Sequence, residues 1–192
     1  LYAFRTPESH VQNLVTAGFD AMSLANNHAN DFGIEGKLST MKTLKKAGIH
    51  YAGQKDYCEK TTFTIGNTKY GFCAFGHSNN TPNINNLKET RNIISSLKEQ
   101  CDIIIVSFHG GGEGAKYSHV PDTTEIYLEE KRGNVKEFAH TCIDAGADIV
   151  YGHGPHVPRA IELYKGHLIA YSLGNFCTPY RVYLLGKSGH AP

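Results

Sequence analysis

Residues 103–109 read Ile-Ile-Ile-Val-Ser-Phe-His, and this stretch decides the fold class. A short, uninterrupted run of branched apolar residues is typical of a strand that is covered on both faces in the middle of a sheet. Helical patterns precede and follow it, at about residues 87–99 and 133–145. Helices on either side of a buried strand predict an α/β domain, in which a sheet is covered by helices.

The same alternation of helices and strands extends toward both ends of the chain. Strand pairs joined by short turns predict hairpins, so we expect a mixed sheet with antiparallel strands at some positions. The glycine-containing stretch 110–123 is predicted to be a long loop. The remaining predicted elements are helices at 9–17 and 34–47, strands at 21–24, 49–52 and 148–151, and hairpins at 61–65 with 69–75 and 160–164 with 168–171.

Length and composition exclude several classes of protein. A chain of 192 residues with 40% hydrophobic residues has enough apolar material for one sizeable core, so we expect a single domain over residues 1–192. Lys and Arg number 19 against 18 Asp and Glu, without a basic block, so nothing indicates nucleic-acid binding. No apolar run approaches the ~18–20 residues that span a bilayer. The five cysteines are scattered without a CxxC pair, which argues against a zinc ribbon or a disulfide scaffold.

Polar side chains follow four of the predicted strands. Open α/β sheets bind ligands beyond the carboxyl ends of their strands, so we expect these side chains to meet at one edge. Imidazole nitrogens, amide oxygens and carboxylates are ligands for divalent metals, and no Gly-x-Ser-x-Gly nucleophile elbow competes with that interpretation. The four segments are Ala25-Asn26-Asn27-His28, His109-Gly110-Gly111-Gly112-Glu113, Gly152-His153-Gly154-Pro155-His156 and Ser172-Leu173-Gly174-Asn175-Phe176.

Each candidate also has an ordinary structural interpretation. His28 is equally suited to capping the helix that begins near Asp31, and we predict that Asp31 itself is a cap. A lone His109 at the end of a buried strand needs a polar partner, which favours a functional role. His153 and His156 could both be ordinary loop histidines, but their spacing in one glycine-bounded turn favours shared ligation. Glu113 is a solvated charge by default. We predict that the other histidines are structural or on the surface: His10, His50, His77, His119, His140, His167 and His190.

The chain resembles the CapA family of poly-gamma-glutamate capsule biosynthesis proteins, in the calcineurin-like metallophosphoesterase superfamily. The most specific matching motifs are Ala-Asn-Asn-His at residues 25–28 and Tyr-Ser-Leu-Gly-Asn-Phe at residues 171–176. Weaker matches run in order along the chain. They are Phe4-Arg5-Thr6-Pro7, Ala17-Gly18-Phe19-Asp20, Ala47-Gly48-Ile49, His109 with Gly111 and Glu113, Asp144-Ala145-Gly146-Ala147-Asp148, and Gly152-His153 with Pro155-His156-Val157.

The resemblance implies a four-layer αββα sandwich with mixed sheets and a site for two divalent ions, drawn from Mn, Fe, Zn or Mg. By that analogy Asn27, His109, His153 and His156 are metal ligands. His28 is a general acid or a contact to the transferred group, and Glu113 and Asn175 contact the substrate. The family's Gly-Asp strand has no counterpart in residues 1–192, so we expect a domain without its first strand or strands. Whether the domain is also incomplete at its C-terminus is left open at this point. Gly154 stands where many members carry another histidine.

The resemblance also implies a function. The leading hypothesis is a metal-dependent hydrolase that acts on a phosphoester or an anionic polymer in capsule biosynthesis. The alternative is a catalytically inert subunit that binds the polymer or scaffolds a membrane-bound capsule synthase. Family members are typically exported and membrane-attached, so we expect this chain at the cell envelope. A third possibility is an unrelated α/β protein that binds a small metabolite at the same edge of the sheet.

Overall fold

The computed structural model describes residues 3–175 and Gly186. Phe176 and His190, which the sequence interpretation names, and Cys177, one of the five cysteines, lie outside the described residues. The helices are α1 (Val11–Thr16), α2 (Gly33–Lys46), α3 (Leu87–Lys98) and α4 (Val135–Asp144). The strands are β1 (Ala21–Ser23), β2 (His50–Ala52), β3 (Lys60–Ile65), β4 (Thr68–Phe75), β5 (Ile103–His109), β6 (Glu125–Tyr127), β7 (Glu130–Gly133), β8 (Ile149–His153), β9 (Ile161–Tyr164) and β10 (His167–Ala170).

A six-stranded mixed sheet in the order β3-β4-β5-β8-β10-β9 organises the molecule. Strands β4, β5, β8 and β10 are parallel, whereas β3 and β9 pair antiparallel at the two ends. The apolar run that forms β5 is central and largely buried, as predicted. Because four neighbouring strands share one direction, their carboxyl ends meet at a single edge of the sheet.

Both faces of the large sheet are covered, one by helices and the other by a small second sheet. Helices α3 and α4 pack on one face over the main core, which includes Phe75, Phe108 and Phe138. On the other face, the small parallel sheet β1-β2 lies against β3 and β4, with α2 packed on β2. Ala25, Ala52, Phe72 and Ala74 form the second, smaller core between the sheets. The order helix, sheet, sheet, helix agrees with the expected αββα sandwich.

The β1-β2 layer covers only part of its face of the large sheet. Cross-strand register places Ile105, Ile149, Leu168 and Leu163 in one row on that face. Ile105 packs in the core between the sheets, but Ile149, Leu168 and Leu163 are exposed. The row therefore passes from a covered region to an uncovered apolar one. No helix in the described part of the chain is both long and apolar enough to cross a membrane.

Most predicted elements are confirmed within one or two residues, but the β6-β7 hairpin was not predicted. Its turn is formed by Leu128 and Glu129, with φ values of 49° and 66°. Such turns usually carry Asn-Gly or Asp-Gly, so the local sequence has no recognisable turn signal. The predicted helix at 9–17 is also shorter, because residues 8–10 form a 3-10 turn before α1.

The predicted cap at Asp31 is wrong. Helix α2 begins at Gly33, and its N-terminal residue Phe32 makes no side-chain capping hydrogen bond. The Asp31 carboxylate instead accepts a hydrogen bond from the backbone N–H of Phe4 and lies 3.0 Å from Nδ1 of His28. The distant backbone N–H of Phe4 and the nearby ring of His28 therefore replace the predicted capping interaction.

Candidate functional site

The site lies at the edge of the large sheet where its parallel strands end. His109 and His153 are the last residues of β5 and β8, and the strand register pairs them directly. His77 follows β4 by two residues. Ala25 and Gly53, which follow β1 and β2, both lie against Ala74 near the end of β4. Segments that are distant in sequence thus converge on the predicted edge.

The two strand-end histidines are in contact. Nδ1 of His109 lies 3.1 Å from Nδ1 of His153, and the ring centroids are 5.0 Å apart. On the far side of the second ring, Nε2 of His153 lies 3.3 Å from Oγ of Ser107. A partner on one imidazole nitrogen fixes the ring and directs the other nitrogen, as metal-binding histidines generally require. Ser107 therefore orients Nδ1 of His153 toward His109.

Both rings are held neutral by their surroundings. Burial, followed by the charges of His153, His77 and other neighbours, lowers the pKa of His109 to about 2. Burial and the nearby His156 lower the pKa of His153 to about 4. Neutral imidazole is the form that binds metal, because protonation removes the lone pair.

The imidazole nitrogens of His109 and His153 are of the chemical type that binds divalent metal ions. When two imidazole nitrogens each lie about 2.1 Å from one ion at the right angles of octahedral coordination, they are about 3.0 Å apart. The separation of the two Nδ1 atoms fits that arrangement as well as it fits a hydrogen bond. Nε2 of His109 is buried without a hydrogen-bond partner. Among the residues that the structure describes, however, no group of three or more His, Cys, Asp or Glu is arranged to hold an ion.

His77 is a third buried imidazole at this edge, and the prediction that it is merely structural missed its position. Its ring centroid lies 5.5 Å from that of His109. Burial and the charge of Arg132 lower the pKa of His77, while Glu130 acts in the opposite direction. The signal available in the sequence was its place two residues after an apolar strand, close to the strand-end positions of His109 and His153.

His156 lies in the turn after β8, at a positive φ of 60°. Its Nδ1 is 2.8 Å from Oδ1 of Asn175, whose amide nitrogen donates to the backbone carbonyl of His156 at 3.1 Å. The two contacts join the turn after β8 to the segment after β10. Asn175 therefore contacts a predicted metal ligand, and its predicted contact with substrate stays a prediction.

His28 belongs to a separate polar cluster near the end of β1. Its Nδ1 lies 3.0 Å from the Asp31 carboxylate, and the Phe4 ring packs edge-on against its ring at 4.5 Å. In the described residues no hydrogen bond or ring contact joins this cluster to the pair of His109 and His153. Asn27 next to it is exposed. The metal role of Asn27 and the acid role of His28 stay predictions.

Two sets of ion pairs hold the loops of the site, and the first of them is buried. Glu125 of β6 accepts from both terminal nitrogens of Arg159, at 2.8 and 2.6 Å, and from the backbone N–H of Gly112 at 3.1 Å. Arg159 also donates from Nε to the backbone carbonyl of Tyr117. The β6-β7 hairpin therefore ties the loop after His109 to the turn after His153.

The second pair involves Arg132 of β7, which is 3.1 Å from the Glu113 carboxylate and 2.8 Å from that of Glu130. Glu113 was predicted to contact substrate or to be a solvated charge. The structure places it in this ion pair instead of in bulk solvent, and its contact with substrate is untested.

A sequence model of the bacterial capsule synthesis protein family PGA_cap matches residues 1–180. The chain belongs to this family. It is 32% identical over 189 residues to the PGA biosynthesis protein CapA of Bacillus subtilis, covering 90% of this chain and 46% of that protein. It is 30% identical over 188 residues to the capsule biosynthesis protein CapA of Bacillus anthracis, covering 88% of this chain and 42% of that protein.

The PGA_cap chain thus spans less than half the length of these two relatives. Among solved structures it resembles a novel phosphatase from Mycoplasma pneumoniae, with a TM-score of 0.58 and 20% identity over 86% of this chain and 54% of that one. The expected metallophosphoesterase-like fold is confirmed. The chain is a capsule-associated protein with that fold, and the family expectation drawn from residues 25–28 and 171–176 is confirmed with it.

Proposed function

We propose that this chain is a metallophosphoesterase-like domain that hydrolyses a phosphoester or an anionic polymer in capsule synthesis, with the help of divalent ions. One observation carries the proposal, namely the contact between His109 and His153 at the strand ends. Two neutral imidazoles, one with a buried nitrogen that lacks a hydrogen-bond partner, are chemically suited to bind a transition metal.

In this proposal Asn27, His109, His153 and His156 hold the ions, which are Mn, Fe, Zn or Mg. A bound divalent ion supplies positive charge for the developing oxyanion and lowers the pKa of a bound water. The protein's own contribution is to fix the imidazoles. Ser107 orients His153, and Asn175 orients His156.

We assign His28 the role of general acid. Its Nδ1 faces the Asp31 carboxylate, so Nε2 is the nitrogen left to deliver a proton to a leaving oxygen. Glu113 and Asn175 are proposed to contact substrate beside the metal ligands.

A second candidate function is an inert subunit that binds the capsule polymer or scaffolds a membrane-bound synthase. The observation that favours it is that no three ligand-type side chains in residues 3–175 are grouped to hold an ion. In either role we propose that the protein works at the cell envelope, with the polymer and synthase subunits as partners. The balanced charge of the chain gives no support for a nucleic-acid partner.

The test is turnover by the purified protein of bis-p-nitrophenyl phosphate and of a γ-linked oligoglutamate, with Mn²⁺ or with a chelator. We expect metal-dependent turnover that falls by roughly 100-fold or more in His109→Ala. The matched control is His167→Ala, which removes a part-exposed imidazole at the start of β10. Metal binding by calorimetry without turnover would favour the inert subunit. Absence of both metal binding and turnover would contradict the proposed hydrolase.

A further inference from the structure

His156 differs from the other two histidines of the proposed metal site in how its ring is held. His109 is buried and His153 is half-buried, and their rings contact each other at the strand ends. His156 is exposed and adopts a positive φ of 60° in the turn after β8. Since packing does not fix an exposed side chain, the orientation of this ring depends on the hydrogen bonds that it makes.

The side chain of Asn175 makes two hydrogen bonds to His156. Its Nδ2 donates to the backbone carbonyl oxygen of His156 at 3.1 Å, and its Oδ1 lies 2.8 Å from Nδ1 of the ring. The backbone carbonyl needs a donor, which fixes the end of the amide that carries Nδ2. An amide oxygen only accepts hydrogen bonds, so Nδ1 of the ring carries the proton. Nε2 then has the free lone pair that a metal ion can bind.

The hydroxyl group of Ser172 joins the two chain segments that make this contact. Ser172 is buried, and its Oγ donates to the backbone carbonyl of Val157 at 2.8 Å. The same Oγ accepts from the backbone N–H of Gly174 at 3.2 Å. Val157 directly follows His156, and Gly174 directly precedes Asn175. One hydroxyl therefore holds the backbone on both sides of the contact between the ring and the amide.

Backbone contacts alone do not place the end of this segment. The N–H of Leu173 donates to the carbonyl of Gly152 at 3.0 Å, which ties the segment to β8. In the described part of the chain, the N–H of Gly174 bonds to no backbone carbonyl, so the Ser172 hydroxyl is its partner. Gly174 has a φ of 68°, and a Cβ there would lie 2.9 Å from Cδ of Pro158. The close packing leaves room for glycine only, and the hydroxyl sets the direction in which the chain continues to Asn175.

We propose that Ser172 is a positioning residue that holds the ring of His156 in the tautomer protonated at Nδ1. The hydroxyl keeps the Asn175 amide against the ring, and the amide keeps Nε2 unprotonated. Neutral histidine side chains in water favour the opposite tautomer, with the proton on Nε2, so this contact reverses the ordinary preference. The inference deepens the proposed function and rests on it only for the identity of the group that Nε2 binds.

The first measurement is long-range ¹H–¹⁵N NMR of the histidine rings in the full chain, at mildly alkaline pH and with a chelator. The ring nitrogen shifts report which nitrogen carries the proton, and the His156 signals are assigned by their loss in His156→Gln. The second measurement is calorimetric titration with Mn²⁺ in the absence of the chelator. Both are made on the unsubstituted protein and on the variants.

The test variant is Ser172→Ala, and Ser172→Thr is the conservative variant that keeps a hydroxyl. Ser172→Cys, in which a weak thiol donor replaces the hydroxyl, repeats the test if Ser172→Ala does not fold. The matched control is Thr90→Val, because Thr90 is also buried and its hydroxyl donates to the backbone carbonyl of Asn86 in α3. This control removes a buried hydroxyl that makes no contact with the segment after β10.

We expect His156 to be protonated at Nδ1 in the unsubstituted protein and in Ser172→Thr. In Ser172→Ala the Nε2-protonated tautomer should appear, and the affinity for Mn²⁺ should fall about tenfold, since partners that orient metal ligands contribute about 10–100-fold. Thr90→Val should lower stability without either change, which separates positioning from a general effect on folding.

An Nε2-protonated His156 in the unsubstituted protein would overturn the proposal. So would an unchanged tautomer or an unchanged Mn²⁺ affinity in Ser172→Ala, or the same changes in Thr90→Val. The NMR measurement uses neither metal nor substrate, so its result is independent of hydrolysis. If Ser172→Ala loses the Nδ1-protonated tautomer in a protein that hydrolyses no substrate, the hydrolase is contradicted and the role of Ser172 is supported.

Discussion

Nδ1 of His109 lies 3.1 Å from Nδ1 of His153, although 44 residues separate the two in the chain. The contact follows from the parallel pairing of β5 with β8, which puts the last residue of each strand side by side. Both rings are neutral because they are buried next to each other and to further histidines. This site can be tested through the pH dependence of stability and through substitutions in the His28 cluster, in the β6-β7 hairpin and at Gly154.

Stability of the metal-free protein should decrease in acid because of these histidines. Burial lowers the pKa of His153 to about 4 and that of His109 to about 2, from an ordinary value of 6.5. Below pH 6.5 the unfolded chain therefore binds protons on these rings that the folded chain excludes. The free energy of unfolding then falls as the pH decreases from 6.5 toward 4.

The measurement is urea unfolding across that pH range in the presence of a chelator. His153→Gln should show a shallower decrease than the unsubstituted protein, since Gln does not titrate. His167→Gln, at the start of β10, should keep the original slope. Equal slopes for all three proteins would show that His153 is not held neutral by the fold.

The contact between Asp31 and His28 should matter for turnover and little for folding. Asp31→Asn keeps the shape of the side chain and an oxygen for the Phe4 N–H, but it removes the carboxylate that faces Nδ1 of His28 and orients its ring. We expect kcat to fall by roughly tenfold or more with a small change in KM, because general acid catalysis contributes about 10²–10⁴-fold. Steady-state kinetics on bis-p-nitrophenyl phosphate measure this. Asp20→Asn, an exposed residue before β1, is the control. A change in KM alone would contradict the assigned role.

The buried pair of Glu125 and Arg159 should be a strong determinant of stability. Their side chains are 3% and 0% exposed, so Glu125→Ala leaves a guanidinium charge buried without its carboxylate. Loss of one partner from a buried pair costs about 3–5 kcal/mol. Denaturant unfolding measures the loss.

The double substitution Glu125→Leu with Arg159→Met should recover most of this lost stability, because no charge is then left unpaired. The exposed pair of Lys136 and Asp122 gives the control Asp122→Ala, which should leave the midpoint unchanged.

Gly154, in the turn after β8, should not tolerate a side chain. Its φ is +117°, outside the left-handed helical well near +57° that other residues can adopt. A Cβ there would lie 3.2 Å from Nε2 of His109. We expect Gly154→Ala to lower the free energy of unfolding by about 1–3 kcal/mol. Gly66→Ala, at φ +59° with open space around it, should cost less. Equal costs would mean that the turn after β8 rearranges freely.

Much of the fold could be predicted from local patterns. The apolar run at β5, the helices that end at glycines and the β3-β4 hairpin all carry their signals within a few residues. The β6-β7 hairpin could not be predicted, because Leu128 and Glu129 adopt positive φ without the usual turn residues. The predicted cap at Asp31 was wrong for a related reason. Its carboxylate accepts a hydrogen bond from the backbone N–H of Phe4, 27 residues away, and does not cap the adjacent helix.

For the site, the amino-acid sequence by itself determined which side chains stand at the ends of strands, since hydrophobic periodicity is a local property. Only the tertiary structure decided which of them touch. The register of β5 against β8 places His109 in contact with His153. His77, just after β4, lies beside His109. His28, in contrast, contacts Asp31. Strand pairing and side-chain partners depend on contacts between distant parts of the chain, and these are formed only when the layers pack together.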